Sequence, residues 1–318
     1  MSEKRDHGGG LNAAIDQYGG VPTDWIDLST GINPNPYPIP EIPLKFWHSL
    51  PDTQPTQALL NAARALWNIP KDAVIVPASG VSAIIAILPL LKRSRSVSII
   101  GPTYNEFAAS FRDHNWDITD TAPAQIRVHP NNPDGRVFTQ DEITNAHQSL
   151  TVVDESFCDI CPDKSLIHLA DQPDYIILKG TGKFWGLAGM RLGFAITTPV
   201  LAEKLGQLLG PWNISGPAQF IGTQALSDAA WITNTRIDLK NMARNLDAII
   251  SQSNLSVLGG TDLFRLAQCD NAVRLHDHLC KHNILTRVFP YSNNWIRFGL
   301  PANEHDLYRV QMALGSYA

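Results

Sequence analysis

The feature that most limits the fold of this chain is a regular alternation between residues 55 and 200. Short apolar stretches alternate there with helix-like stretches, and Gly/Pro turns separate them. The apolar stretches predict buried strands at residues 73–76, 97–100, 126–129, 150–153, 175–178 and 192–196. Nearly continuous apolar strands that alternate with helices are buried on both faces, so the pattern predicts an α/β fold with a mostly parallel sheet between helices.

The two ends of the chain differ from this central region. Residues 10–44 are rich in Pro, Gly and Asn, whereas residues 231–318 hold longer helix-like stretches around short strands. This composition predicts a smaller α+β domain. The predicted division is an N-terminal arm at 1–44 that packs with the small domain, a large domain at 45–230 and a small C-terminal domain at 231–318.

Composition narrows the class of partner and the location. The chain has 318 residues, is 44% hydrophobic and carries a net charge of −5. Without a basic cluster, nucleic acid and anionic membranes are not expected as partners. The first residues are polar and lead into glycines, so no secretory signal is expected. The uncharged run 73–91 contains Pro77, Gly80 and Pro89, which favour a strand, a turn and a helix over a membrane span. We therefore expect a soluble cytoplasmic protein.

Cys158 and Cys161 form a lone C-x-x-C pair. Such a pair could be redox-active or half of a zinc site. The sequence offers no second pair to complete a tetrahedral site, so ordinary reduced thiols and no metal are expected.

Lys183 lies in a Gly-rich run between Lys179 and Phe194, and Arg191 follows eight residues after it. A lysine amine can act on a carbonyl carbon, as in the Schiff base with pyridoxal phosphate. A nearby arginine can bind a phosphate through two parallel hydrogen bonds. By itself, a lysine in such a run is more commonly a solvated surface charge.

Other polar residues follow predicted strands, where parallel sheets bind ligands. Ser79 and Gly80 precede a helix whose first amides could bind a phosphate, although a simple helix cap by Ser79 is as good an interpretation. Tyr104 could stack on a flat heterocycle or belong to the core. Asn132 lies in an Asn-Pro-Asp-Gly segment, which also favours a plain β-turn.

Asp154 and Arg297 complete the set of candidates. A carboxylate at the end of a buried strand is costly unless it is paired. A protonated pyridine nitrogen would be a suitable partner for Asp154, but a helix cap or a structural salt bridge fits equally well. Arg297, in a strand-like segment, could bind a substrate carboxylate or lie exposed.

Taken in order, these segments resemble one family. The series Ser-Gly, Pro-Thr-Tyr, Asn-Asn-Pro, Asp-Glu, Gly-Lys-Phe-x-Gly-Leu-Ala-Gly-x-Arg and Ile-Arg-Phe closely resembles the class I/II aminotransferases, which are fold-type I pyridoxal-phosphate enzymes. The resemblance runs from His7 to about Leu314. It implies a large, mostly parallel seven-stranded sheet domain with a smaller α+β domain, pyridoxal 5'-phosphate as cofactor, and a homodimer.

Two segments look most like the threonine-phosphate decarboxylase branch of cobalamin biosynthesis. They are His7-Gly-Gly with the segment 26–34, and the Lys183 run. This resemblance implies decarboxylation of L-threonine O-3-phosphate, a phosphorylated amino acid, to (R)-1-aminopropan-2-yl phosphate and carbon dioxide. The alternatives are a histidinol-phosphate-type or other aminotransferase, and a non-catalytic regulator that binds the same cofactor.

The resemblance also implies roles for residues. Lys183 would bind the cofactor covalently, and Asp154 would pair with its ring nitrogen. The remaining cofactor contacts would come from Ser79, Gly80, Val81, Tyr104, Asn132, Thr181 and Arg191. The substrate would be bound by His7, Gly8, Gly31, Ile32, Asn33, Asn132 and Arg297, with Arg297 on its carboxylate and the N-terminal arm near its phosphate.

Three features depart from the usual family pattern. Phe157 stands where many relatives have a Tyr that hydrogen-bonds the cofactor. Gly180 and Gly182 stand where many relatives have Ser or Thr hydroxyls against the cofactor phosphate. Leu50 replaces a Tyr that reaches the cofactor phosphate of the neighbouring subunit. These differences predict weaker retention of the cofactor.

Overall fold

The computed structural model describes residues 6–144 and 149–317. These residues divide into two compact units. The larger unit holds residues 36–132 and 136–232, and the smaller unit holds the described residues up to 35, residues 133–135 and those from 233 onward.

The α-helices and strands are numbered separately in chain order. The helices of the described residues are α1 (Leu11–Tyr18), α2 (Lys45–His48), α3 (Thr53–Trp67), α4 (Val81–Ile87), α5 (Asn105–Asp113), α6 (Gln140–Thr144), α7 (Pro199–Leu209), α8 (Gly216–Ser227), α9 (Ala229–Ser251), α10 (Ala272–Lys281) and α11 (Glu304–Gly315). The strands are β1 (Ile26–Asp27), β2 (Val74–Ala78), β3 (Ser96–Ile99), β4 (Asp117–Ile118), β5 (Ala124–Val128), β6 (Leu150–Asp154), β7 (Tyr175–Gly180), β8 (Gly193–Thr197), β9 (Ser256–Thr261), β10 (Phe264–Gln268), β11 (Ile284–Leu285), β12 (Arg287–Phe289) and β13 (Ser292–Gly299).

The larger unit is built on a seven-stranded sheet with the order β2-β8-β7-β6-β5-β3-β4. Strand β8 runs antiparallel to both β2 and β7, and the pairs from β7 to β4 are parallel. Every residue of β5 and β6 is buried, as expected for strands covered on both faces. The predicted mostly parallel sheet is therefore confirmed, and the six predicted strands are β2, β3, β5, β6, β7 and β8.

Local sequence signals explain where α3 begins and ends. The Asp52 side chain accepts a hydrogen bond from the Thr53 amide at the first turn. One face of the helix, with Leu59, Ala63 and Trp67, is buried, and Asn68 ends the helix in the left-handed conformation at φ 48°. Helix α3 therefore presents its apolar face to the core of the larger unit.

The smaller unit contains a four-stranded antiparallel sheet with the order β12-β13-β10-β9, and a parallel pair formed by β1 and β11. The turn at residues 133–135 packs closely on β9, because a Cβ atom at Gly135 would lie 1.9 Å from the Gly260 carbonyl oxygen. Gly135 also has φ 74°, so this turn requires glycine on two counts.

The described helices include none with both the length and the apolar character needed to cross a membrane.

Candidate active site

The carboxyl ends of the central strands bring several predicted residues into one cavity of the larger unit. In the parallel register, Val128 of β5 lies opposite Asp154 of β6, which lies opposite Leu178 of β7. The loops that follow these strands enclose a concave space that is open on one side, as ligand sites commonly are. The predicted cofactor-binding residues that line it are Gly80, Val81, Tyr104, Asn132, Asp154, Lys183 and Arg191.

Asp154 is the last residue of β6, and its side chain is only 3% exposed. Its Oδ1 atom accepts hydrogen bonds from the amide and the hydroxyl of Ser156, at 3.0 and 2.5 Å. Among the described residues, no donor reaches Oδ2. Burial raises the pKa of Asp154 above its usual value, and the Glu155 charge adds to this rise, whereas the Ser156 hydrogen bonds and Lys183 oppose it. A cationic hydrogen-bond donor at Oδ2 would stabilise the ionised carboxylate.

Lys183 lies three residues beyond the end of β7 and is half-buried in the cavity. The next two residues, Phe184 and Trp185, are almost completely buried, and the Trp185 indole donates to the Ala225 carbonyl at 3.2 Å. This anchoring fixes the main chain beside Lys183. Its Nζ atom lies over the face of the Phe157 ring, 5.4 Å from the ring centre.

Gly80 and Arg191 form the cationic end of the cavity. Gly80 precedes α4 with φ 86°, and a Cβ atom there would lie 2.6 Å from Arg191 Nη2. Arg191 has φ 55°, and its Nη2 donates to the Ser82 hydroxyl at 2.7 Å. Only a glycine at position 80 lets the guanidinium lie this close to the first turn of α4. A cation beside the amides of a first helical turn suits a phosphate.

Tyr104 and the Asn-Asn pair come from neighbouring loops. The half-buried Tyr104 makes an edge contact with the buried Phe107, with 6.3 Å between ring centres. Asn131 ties its loop to the preceding one: its side chain donates to Pro102 O at 3.0 Å and accepts from the Thr103 hydroxyl at 2.6 Å. Asn132 then lines the cavity.

Two predicted cofactor contacts are not among the residues that line this cavity. The exposed Ser79 directs its hydroxyl to the Asn213 carbonyl. The buried Thr181 donates to the Leu192 carbonyl at 3.2 Å. The proposed contacts of these hydroxyls with a cofactor stay predictions.

The sequence did not single out three polar residues that hold the site together. They are Ser82, which binds Arg191, Asn131, which joins two loops, and Ser156, which binds Asp154. Each lies within two residues of a predicted site residue. Only that proximity could have pointed to them, because a hydroxyl or amide at such a position also fits an exposed turn.

Apart from Asn132, the predicted substrate-binding residues lie in the smaller unit, where Gly9 and Arg297 both contact Ser29. Arg297 Nη2 donates to the Ser29 carbonyl at 2.7 Å, and the Gly9 amide donates to the Ser29 hydroxyl at 2.7 Å. A Cβ atom at Gly8 would lie 2.3 Å from the same carbonyl oxygen. His7 is exposed.

Arg297 itself is buried within the smaller unit. Burial lowers its pKa to about 10, and the charge of Arg287, opposite it in the sheet, adds to this effect. Arg287 makes two 2.7 Å hydrogen bonds to the Asp6 carboxylate. Of the other predicted positions, Gly31 is buried, Ile32 is half-buried, and the buried Asn33 accepts from the Asn35 amide at 2.9 Å.

A second group of buried charges lies next to Asp154 in the chain. Glu155 is completely buried, and its Oε2 lies 2.6 Å from the Lys179 ammonium. It also accepts hydrogen bonds from the Ser165 hydroxyl at 2.6 Å and the Leu166 amide at 2.5 Å. Asp159 lies 3.8 Å from the same ammonium. The charge of Glu155 is thus balanced by the Lys179 ammonium within its own network.

The neighbouring thiol is not set up for chemistry or for a metal. The hydrogen bond with Cys161 and burial both raise the pKa of Cys158 far above its usual value. His129, Glu155 and Cys158 lie close enough together to suggest a metal ion. However, His129 uses one ring nitrogen for the Phe138 amide at 3.1 Å and the other for the Lys164 carbonyl at 2.7 Å.

Comparison with known proteins places these residues in context. The family model for aminotransferase class I and II matches residues 126–310. A threonine-phosphate decarboxylase of Sinorhizobium sp is 37% identical over 94% of this chain and 94% of its own length. Another from Pseudomonas aeruginosa is 34% identical over 97% of both chains.

A solved structure supports the fold. The histidinol-phosphate aminotransferase from Sinorhizobium meliloti, solved in complex with pyridoxal-5'-phosphate, superposes with a TM-score of 0.81 at 19% identity, over 98% of this chain and 94% of that chain. The fold predicted from the sequence is confirmed.

Proposed function

Because the chain belongs to the aminotransferase class I and II family, we propose that it is a pyridoxal-phosphate enzyme that decarboxylates L-threonine O-3-phosphate. The products are 1-aminopropan-2-yl phosphate, of R configuration, and carbon dioxide. The observation that carries this proposal is the similarity, along nearly the whole chain, to two threonine-phosphate decarboxylases.

The residues of the cavity fit both polar ends of the cofactor. Arg191 and the amides at the start of α4 suit its phosphate, and a larger side chain at Gly80 would displace the guanidinium and strain the main chain. Oδ2 of Asp154 suits a protonated ring nitrogen. When bound, pyridoxal phosphate supplies a ring that accepts the electron pair left at Cα as the carboxylate departs.

Lys183 and Asp154 have the central roles in this proposal. Lys183 would hold the cofactor covalently through Nζ, and its amine, when free, would return a proton to Cα. Asp154 keeps the ring nitrogen protonated. Tyr104 packs against the ring, and Asn132 binds its phenolic oxygen.

The substrate itself is bound by Arg297 and the N-terminal arm. Arg297 takes the carboxylate, and the arm with His7, Gly8 and the segment 31–33 takes the phosphate. The shared contacts with Ser29 support a common role, because they join the arm to Arg297 within the smaller unit. Binding energy from the phosphate then orients the carboxylate for loss.

We also propose a homodimer and a cytoplasmic location. The larger unit exposes an apolar row in one segment, with Ile39, Leu44, Trp47 and Leu50 each more than 60% exposed, as expected for a face that is covered by a second copy. The four cysteines are free, which fits a reducing compartment.

One experiment tests the function directly. The purified enzyme with pyridoxal phosphate is incubated with threonine phosphate, without any keto acid, and carbon dioxide and aminopropanol phosphate are measured. Threonine serves as the control substrate and should react far more slowly, because it leaves the phosphate-binding groups unpaired. Turnover that requires 2-oxoglutarate would indicate an aminotransferase. A bound cofactor without turnover of any amine would indicate a regulator.

A further inference from the structure

Ser156 makes a two-point contact with the carboxylate of Asp154. Its amide and its hydroxyl both donate to the same atom, Oδ1, and the hydroxyl bond is the shorter, at 2.5 Å against 3.0 Å. Ser156 is half-buried and lines the cavity together with Asp154. Two donors on one oxygen restrict rotation of the carboxylate about its Cβ–Cγ bond. The other oxygen, Oδ2, then keeps one orientation.

Glu155, which lies between Asp154 and Ser156 in the sequence, has a different set of partners. Glu155 binds Lys179, Ser165 and the Leu166 amide. The two adjacent carboxylates therefore differ in kind, since Glu155 has its own cation and Asp154 has no ion pair within 4 Å among the described residues. Among the described residues, only Ser156 hydrogen-bonds the carboxylate of Asp154.

We propose that Ser156 is a positioning residue, which fixes Oδ1 of Asp154 so that Oδ2 is presented, ionised, to the ring nitrogen of the cofactor. This inference rests on the proposed function, because it needs pyridoxal phosphate in the cavity. It goes beyond that function in assigning part of the control over ring protonation to a hydroxyl that acts through the Asp154 carboxylate.

The charges around Asp154 support this role. Burial and Glu155 raise the pKa of Asp154, and the Ser156 hydrogen bonds and Lys183 lower it. The charge of Lys183 changes whenever its amine reacts. The Ser156 hydrogen bonds stay the same, so they provide a constant stabilisation of the ionised form.

The other titratable groups around Asp154 belong to the same cavity or to the Glu155 network. Arg191 and Tyr104 line the same cavity. Lys179 of β7 and Asp159 belong to the Glu155 network, and the ring of His129 is engaged by main-chain groups. These groups are unchanged by a substitution at Ser156. A change in the pH at which the ring nitrogen loses its proton is therefore due to the loss of the serine hydroxyl.

The test uses the holoenzyme loaded with pyridoxal phosphate that carries ¹⁵N in its ring. The ¹⁵N chemical shift, followed against pH, gives the midpoint at which the ring nitrogen loses its proton. In Ser156→Ala the midpoint should fall by about one pH unit. Losing the hydroxyl leaves the Asp154 carboxylate less well aligned with the ring nitrogen, so the ion pair that stabilises the protonated ring becomes weaker. Ser156→Thr keeps the hydroxyl and should restore the parental midpoint.

Ser165→Ala is the matched control, because it removes a serine hydroxyl bond of 2.6 Å from the adjacent carboxylate, Glu155. Its midpoint should equal that of the parent. The same midpoint in Ser156→Ala and the parent would overturn the inference and leave the proposed function intact. A parental protein that forms no covalent adduct between Lys183 and pyridoxal phosphate would overturn both.

Discussion

A Cβ atom at position 80 would lie 2.6 Å from Nη2 of Arg191, so Gly80 and the guanidinium occupy space that only a glycine leaves open. The φ of 86° adds a second reason for glycine. Gly80→Ala should therefore push Arg191 away from the first turn of α4 and weaken binding of pyridoxal phosphate at least ten-fold, about 1.4 kcal/mol. Equilibrium dialysis against the cofactor measures the change.

Gly189→Ala is the control for this substitution. Gly189 lies two residues before Arg191, and a Cβ atom there would have no neighbour within 4 Å. Its cofactor affinity should match that of the parent. Equal affinities for Gly80→Ala and Gly189→Ala would mean that Arg191 does not bind the cofactor phosphate.

A gain of cofactor affinity is expected at Gly182. A Cβ atom there would lie 3.4 Å from Ala188 Cα, an ordinary contact, so a serine fits. Gly182→Ser should bind pyridoxal phosphate several-fold more tightly, because it adds a hydroxyl donor to the cavity. At Gly180 a Cβ atom would lie 3.0 Å from Val81 Cγ2, and Gly180→Ser should bring no gain. Tighter binding of pyridoxal phosphate by Gly180→Ser than by Gly182→Ser would contradict this prediction.

Lys183 is expected to carry the covalent bond to the cofactor. Lys183→Ala should lose the visible absorption band of the holoenzyme while keeping its melting temperature within a few degrees, because a half-buried side chain leaves no large core cavity. Lys164→Ala, which removes an exposed lysine, should keep the band. Borohydride reduction followed by peptide mapping identifies the labelled lysine. A label on another lysine would refute the assignment.

The buried ion pair of Lys179 and Glu155 should matter for stability. Lys179→Met would leave Glu155 and Asp159 without their cation, which should lower the free energy of unfolding by about 3–5 kcal/mol in urea titrations. Adding Glu155→Gln should recover part of this loss, since it removes one uncompensated charge.

The control for Lys179 is an exposed ion pair of similar length. Lys281 lies 2.7 Å from Asp277, and both side chains are more than 40% exposed. Lys281→Met should cost less than about 1 kcal/mol. If both methionine variants lost stability equally, burial would not be the reason for the cost.

The strands of the large sheet were predictable because their apolar side chains are buried on both faces. Strand β6 shows this best, since the predicted stretch 150–153 differs from the observed strand only at Asp154. Strand β4 was missed because it has two residues and pairs only with β3. Strand β10 was missed because Arg265 and Gln268 interrupt its apolar pattern.

Which polar residues meet in the cavity was predictable only from the order of motifs along the chain. The orientation of side chains depends on partners far away in sequence. The hydroxyl of Ser79 binds the carbonyl of Asn213, which a local pattern does not reveal. The two bonds from Ser156 to one oxygen of Asp154 are equally invisible in the sequence, because a serine two residues after an aspartate also fits a simple turn.

Strand β8 runs back beside β7, so the segment 181–192 leaves the sheet and re-enters it at one register pair, Gly180 opposite Gly193. Thr181 closes its base with two hydrogen bonds to the Leu192 carbonyl. Lys183 and Arg191 thus belong to a single closed hairpin loop. The length of this loop sets the distance between the Lys183 amine and the Arg191 guanidinium. A one-residue insertion should therefore disturb both ends of a bound cofactor. For the same reason, we expect the loop to be exchangeable between relatives only as a complete segment.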